Sequence, residues 1–264
     1  MLPQPEPKLV PGLLAMVAPE RLRKFRRAAP AGAHRAALSM YLVDAELTSY
    51  FHALLRIVEV LLREAIHRAM RDAFGTPRWF AVPNVRALLD PRTVTALDDA
   101  QRGANPSVRG TPAAGSVVAG MMFGTWVNLL DTGARGNYEA DLWRPVISGV
   151  FQADQPTAPH PRAQVHALAK RMNWARNRVN HCEPVIFGFP RKGQITAQGL
   201  RLRTTPHQLL DDARTLCGFI SPETAAWLAG WHQFEDVLAT QQVAEALRYI
   251  DRQPGIALQG RRRQ

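Results

Sequence analysis

Two stretches of the chain carry a strong helical rhythm of apolar positions. Within 36–74, Leu47, Phe51, Leu54, Val58, Leu61 and Ala65 recur at spacings of four and three, which on a helix of 3.6 residues per turn makes one buried stripe. Another face of the same helix carries His52, Arg56, Glu59, Arg63 and His67, and a break or kink is expected near 44–49. Within 165–186, Val165, Leu168, Met172, Ala175, Val179 and Cys182 form a second stripe. Pro184 pushes Glu183 out of the helical region and ends that helix. Shorter periodic segments predict helices at 18–29, 91–102, 207–219, 222–231 and 234–250, with Ser221 as an N-cap ahead of Pro222 and Glu223. Gly75-Thr-Pro closes the long helix, and Trp79-Phe80 then tucks an aromatic pair onto the bundle.

The pattern is that of an all-α protein, with one exception. The stretch 187–206, FGFPRKGQITAQGLRLRTTP, alternates and is poor in helix formers, so a short hairpin or an irregular loop bearing Arg191, Lys192, Arg201 and Arg203 is expected near 190–205. Pro3, Pro5, Pro7 and Pro11 argue for a non-helical arm over the first dozen residues. The organisation expected is an arm and basic helix at 1–33, a helical domain at 34–250, and a basic tail at 251–264 ending in Arg261, Arg262 and Arg263. The clusters MMFGTWVNLLD and LWRPVISGVF are core or dimer-contact helices, and Trp126 is a core residue before it is a base-stacking platform.

Charge changes the picture. A net +11 and a pI near 10.7 favour polyanionic partners and salt-sensitive association with nucleic acid, although an arginine-rich coding bias would produce the same balance. Residues 155–182 hold Arg162, Lys170, Arg171, Arg176 and Arg178 without one acid. The helix at 18–29 holds Arg21, Arg23, Lys24, Arg26 and Arg27 against Glu20, a cluster suited to RNA backbone and equally to a solvated surface. With only Cys182 and Cys217, neither a disulfide framework nor a structural zinc site is expected. The absence of a basic leader and of a twenty-residue apolar run points to a cytoplasmic chain with no membrane partner. No phosphate-cradling glycine loop, H-E-x-x-H, paired C-x-x-C or G-x-S-x-G occurs, which argues against nucleotide-hydrolysing, zinc-dependent and serine-hydrolase classes.

Arg176-Asn177-x-x-x-His181 resembles the arginine, four to six residues, histidine motif of HEPN-domain ribonucleases. The longer RNRVNHCEPV is similar to the signature of the Abi-like (abortive infection) branch. EVLLREAI at 59–66 and FGTWVNLL at 123–130 resemble the same family more weakly. Where the family would carry a second histidine or another polar residue, this chain has Cys182. The resemblance implies a HEPN-like helical bundle, no cofactor and no metal, and a ribonuclease centre at Arg176 and His181 completed by a second subunit. Asn177, Asn180 and Glu183 would support that centre. Glu59 and Arg63 would orient Arg176 or Asn177; taken alone they are an i,i+4 surface pair worth about 0.2–0.5 kcal/mol. Arg178, Arg171, Lys170, Arg23, Arg26 and Arg201 would contact RNA, whether tRNA, mRNA or rRNA. An antitoxin or other regulatory partner is implied as well.

The residue types suit the chemistry. Histidine takes either proton-transfer role near neutral pH, and arginine offers fixed charge and a planar fork to a phosphate. His181 also fits a plain structural role as a cation at a helix C-terminus. At about 100° per residue Asn177 and His181 share one line of the helix while Arg176 lies roughly 140° away. Either the helix distorts near Asn180, or the two side chains act across an interface between chains.

Overall fold

A computed structural model describes residues 5–30, 32–104, 113–134, 136–151 and 162–259. In chain order the helices are α1 (Val10–Ala15), α2 (Pro19–Ala28), α3 (His34–Phe74), α4 (Pro83–Leu88), α5 (Pro91–Gly103), α6 (Ala114–Gly120) and α7 (Phe123–Leu129). They continue as α8 (Ile147–Val150), α9 (Arg162–Asn180), α10 (Pro206–Ile220), α11 (Pro222–Ala229), α12 (His232–Leu238) and α13 (Gln241–Asp251). The strands are β1 (Phe189–Ile195), β2 (Arg201–Thr204) and β3 (Ile256–Gln259). The described chain is thus mostly helical, with one small sheet.

The break expected at 44–49 does not occur, since α3 is continuous from His34 to Phe74 and contains neither glycine nor proline. Its polar stretch stays within the helix with the hydroxyls folded back onto the helix's own carbonyls, Thr48 Oγ1 donating to Asp44 O at 2.7 Å and Ser49 Oγ to Glu46 O at 2.7 Å. Gly75, at φ +67, ends the helix in the left-handed conformation, and Thr76 N–H closes back onto Arg71 O at 3.1 Å. The arm also departs from expectation, because Pro7 and Pro11 sit in the first turns of a 3₁₀ turn and of α1, where a missing N–H costs nothing. The 234–250 segment is two helices, separated where Thr240 takes an extended backbone and caps Val237 O through its hydroxyl at 2.8 Å.

The expected hairpin is present. β1 and β2 pair antiparallel, Phe189 opposite Thr204, with an irregularity between Pro190 and Ile195. β3 was not anticipated: it pairs parallel to β2, from Arg201 beside Ile256 to Thr204 beside Gln259. The triple arginine at 261–263 lies outside the described residues.

Contacts divide the chain into two units. The first draws on Met1–Leu55, Trp174–Asp212 and Trp227–Gln264. Its core joins Leu22 and Phe25 of α2, Leu47 and Phe51 of α3, and Phe187, Phe189, Phe234 and Val243, all buried. Phe51 is the hub, its ring 5.0 Å from Phe189 and 4.9 Å from Phe234 in edge-to-face contacts. The second unit, Arg56–Asn173 and Ala213–Ala226, packs Val58, Leu62, Trp79, Trp126 and Trp143. Trp126 is wholly buried, 6.5 Å from Trp79, so it is core and offers no face to a base. At the start of α9 the buried Arg162 pairs with Glu139 and donates to the carbonyls of Leu130 and Asp131.

Phe51→Ala removes a fully buried ring from the meeting point of α3, β1 and α12. It should lower unfolding stability by about 3–5 kcal/mol in a denaturant titration, whereas truncating the exposed Val60 should cost under about 0.5 kcal/mol.

Candidate functional site

α9 buries Val165, Leu168, Met172, Ala175 and Val179, as the stripe predicts, but the sixth position, Cys182, is exposed and outside the helix. The end of the helix explains why. His181 N–H still bonds Asn177 O at 3.0 Å in the helical manner, then Cys182 N–H turns to Val179 O and Glu183 N–H to Arg178 O, each at 3.0 Å. Those two reversed bonds define a Schellman cap, with Cys182 at φ +51 in the position that glycine usually fills. The helix is therefore regular through His181, and the reversal comes after it. Asn177, Asn180 and His181 are exposed and Arg176 is half-buried, with Arg176 and His181 still about 140° apart around the axis.

Four side chains from three other elements and from α9 itself hold the reversal. Arg21 of α2 donates to Cys182 O at 2.8 Å. Arg178 donates through Nε to Pro184 O at 2.8 Å and pairs with Glu183 at 2.5 Å. Arg203 of β2 donates to Phe187 O at 3.0 Å and Gly188 O at 2.8 Å. Asp44 of α3, buried, accepts both Val185 N–H at 2.7 Å and Ile186 N–H at 2.8 Å through one oxygen. Val185, Ile186 and Phe187 are thereby drawn into the core. Gly188 has φ +76, and a Cβ there would come within 2.7 Å of Thr204 O, so only glycine lets the chain enter β1 so close to β2.

Burial dominates the electrostatics of this cluster. It raises Asp44 to about 6, against the two backbone N–H donors and the nearby charges of Arg178 and Lys24. Burial also brings Lys24 down to about 7, helped by Arg203 and Arg178 and opposed by Asp44. Arg203 falls to about 10, through burial and then Arg178 and Arg201. The Lys24 ammonium sits 4.3 Å from the centroid of the Phe187 ring.

Of the residues singled out from the sequence, Arg176, Asn177, Arg178, Asn180, His181, Glu183, Arg23, Arg26 and Arg201 belong to the first unit. Arg178 is engaged with its own chain, and Glu183, whose role the sequence left open, is its partner. Arg23 and Arg26 are exposed on α2, whose other face buries Leu22 and Phe25, and Arg201 is exposed on β2. Glu59, Arg63, Lys170 and Arg171 belong to the second unit. There Arg63 bonds Glu64 at 3.1 Å, and Arg171 reaches back to Ala167 O at 3.3 Å. His67 accepts the Trp79 indole N–H at 3.1 Å, a structural duty.

Sequence reasoning missed Asp44, Lys24 and Arg203 as builders of the site. For Asp44 a signal exists: it lies three residues before Leu47 and seven before Phe51, so an acid occupies a place in the apolar stripe. Among the described residues no cluster of three or more metal-ligating side chains occurs, and no helix is long and apolar enough to cross a membrane. Comparison with protein-family models, curated proteins and solved structures finds no match.

Asp44→Ala should lose about 2–5 kcal/mol in urea unfolding, because two buried N–H groups are left without an acceptor. Asp44→Asn keeps an acceptor oxygen and should cost less. With its folded pKa near 6, above the unfolded value of 3.8, Asp44 contributes stability that is present below about pH 4 and lost as pH rises through 6. The wild type should therefore gain on Asp44→Asn as pH falls from 6.5 to 4; parallel stability curves would refute this account.

Proposed function

We propose that this chain is a metal-independent endoribonuclease of the HEPN type, with the Abi-like helical fold that its motif suggests. The observation that carries the reading is the RNRVNH sequence at the end of α9. It sets Asn177 and His181 on one exposed line of a regular helix, with the half-buried Arg176 about 140° round the axis, just ahead of a turn braced from four sides. A chain of net charge +11 suits RNA as substrate.

In the proposed reaction the RNA 2′-oxygen attacks the adjacent phosphorus and the bond from phosphorus to the 5′-oxygen breaks. His181 takes the 2′-hydroxyl proton or supplies the proton that the leaving 5′-oxygen needs, and Arg176 balances charge on the phosphorane-like transition state. The products are a 2′,3′-cyclic phosphate and a 5′-hydroxyl, with no metal in the balance. Because Arg176 and His181 point about 140° apart on a regular helix, one chain does not aim both at a single phosphate. A two-fold homodimer that juxtaposes two α9 ends resolves this, Arg176 of one copy acting with His181 of the other. Biologically such an enzyme fits a cytoplasmic growth-arrest effector, in phage defence or in a toxin–antitoxin pair, restrained by an antitoxin or a regulatory partner.

The same divergence of Arg176 and His181, with Arg178 engaged structurally, favours a second reading: a catalytically silent HEPN-like scaffold that binds RNA or protein.

Purified wild type, incubated with total RNA and tRNA in EDTA at low salt, should yield 2′,3′-cyclic phosphate ends. Arg176→Ala and His181→Ala should each lose at least about 100-fold in cleavage while retaining Tm, since both lie outside the buried stripe. Full activity in either variant would remove that residue from the centre. RNA binding without cleavage by any of the three would favour the scaffold.

A further inference from the structure

The braces of the α9 turn leave an imbalance of charge. Arg21 and Lys24 from α2, Arg178 from α9 and Arg203 from β2 face the segment 182–188, where the acids are Asp44 of α3 and Glu183. Asp44 is committed to two backbone N–H donors and Glu183 to Arg178. Four cations thus meet two acids in a half-buried place.

Lys24 bears the consequence. Arg178 and Arg203 each donate to carbonyl oxygens, at 2.8 Å for Pro184 and Gly188. The Lys24 ammonium, by contrast, faces the Phe187 ring at 4.3 Å and makes no hydrogen bond or ion pair among the described residues. An ammonium withdrawn from water without an acceptor, and repelled by two guanidinium groups, is destabilised. Its pKa near 7 is the same fact in another form. A tetrahedral anion would supply what is missing, with oxygens to accept from the ammonium and from the unused guanidinium N–H groups, and negative charge to balance the excess.

We propose that Lys24, Arg178 and Arg203 form a subsite for a phosphate group, carried by an RNA backbone or free in solution, immediately beside the turn that follows His181. The backbone source rests on the ribonuclease reading; the subsite itself does not. Binding favours the protonated amine, so the phosphate group should be held more tightly below pH 7 than above it. The charged groups facing Lys24 are Asp44 from α3, Arg178 from α9 and Arg203 from β2. Arg203, titrating near 10, keeps its charge between pH 6.5 and 8.5, and Asp44, titrating near 6, only completes its ionisation at the lower end of that range, so Lys24 carries most of the pH dependence.

The test is calorimetric titration of the full chain with sodium phosphate, and separately with a 2′-O-methyl hexanucleotide that cannot be cleaved. Binding is then read independently of catalysis. Wild type should bind the hexanucleotide, whose phosphodiesters do not titrate in this range, at least about tenfold more tightly at pH 6.5 than at 8.5. Lys24→Met keeps the stem over Phe187 and removes a desolvated charge, so it should keep its Tm. It should bind the hexanucleotide about tenfold more weakly at pH 6.5 and lose most of the pH dependence, and its salt slope for that probe should fall by about 0.7. Competition of phosphate against the hexanucleotide would assign the subsite to the RNA backbone; phosphate binding without competition would assign it to the free anion. If folded Lys24→Met binds both probes as wild type does, the subsite is wrong, while the assay of His181 cleavage stands untouched.

Discussion

A single carboxylate oxygen, on Asp44 of α3, accepts the amides of Val185 and Ile186 from a segment 141 residues further along the chain. The geometry after α9 depends on this interaction. A helix that has just reversed direction exposes backbone donors which must find acceptors before the chain can enter the core. Here the next residues are Val185, Ile186 and Phe187, apolar and fully buried, so no water reaches the amides they carry inward. The carboxylate satisfies both at once, and charge-assisted bonds of this kind are stronger than neutral ones. Desolvating a charge is the cost, visible in the raised pKa of Asp44.

Once that link is fixed, six arginines of the first unit separate into two kinds. Arg21, Arg178 and Arg203 act on carbonyl oxygens of 182–188, while Arg23, Arg26 and Arg201 stay exposed on α2 and β2. Adjacent residues on one short helix thus serve different ends, because α2 turns Leu22 and Phe25 inward and alternate faces follow. The exposed motif residues Asn177 and His181 are carried by the rigid part of α9, whereas the curvature is taken up at Cys182, in a conformation that costs an L-residue about 1–2 kcal/mol.

Much of the fold is legible in the periodicity. The stripe through Leu47, Phe51, Leu54, Val58 and Ala65 is buried as spaced, with Leu61 half-buried and Leu62 taking its place; the stripe from Val165 to Val179 is buried too, and the turn chemistry of Gly75 and the strand character of 187–206 both appear. The break expected at 44–49 does not occur: the polar residues there stay in the helix, their hydroxyls bonded to its own carbonyls. Cys182 was placed in the stripe by spacing alone; the Schellman cap removes it. β3 escaped notice because a four-residue strand has too few alternations to register, and its pairing with β2 is a tertiary choice. The exposed residues of the candidate site, Asn177, Asn180 and His181, were singled out by type and spacing. Its framework was not, since what makes Asp44, Lys24 and Arg203 important is long-range proximity, which local spacing does not encode.

The parallel pairing of β2 with β3 has a consequence for synthesis on the ribosome. β2 ends at Thr204 and its parallel neighbour begins at Ile256, so the sheet that holds Arg203 cannot close until some fifty further residues have been made. Asp44 likewise waits for Val185, which at 5–20 residues per second is about 7–30 s. Between the synthesis of Val185 and that of Ile256, the turn after RNRVNH lacks the closed sheet behind Arg203. The nascent chain therefore does not display the turn in its final geometry while it is still being threaded through a machine made of RNA.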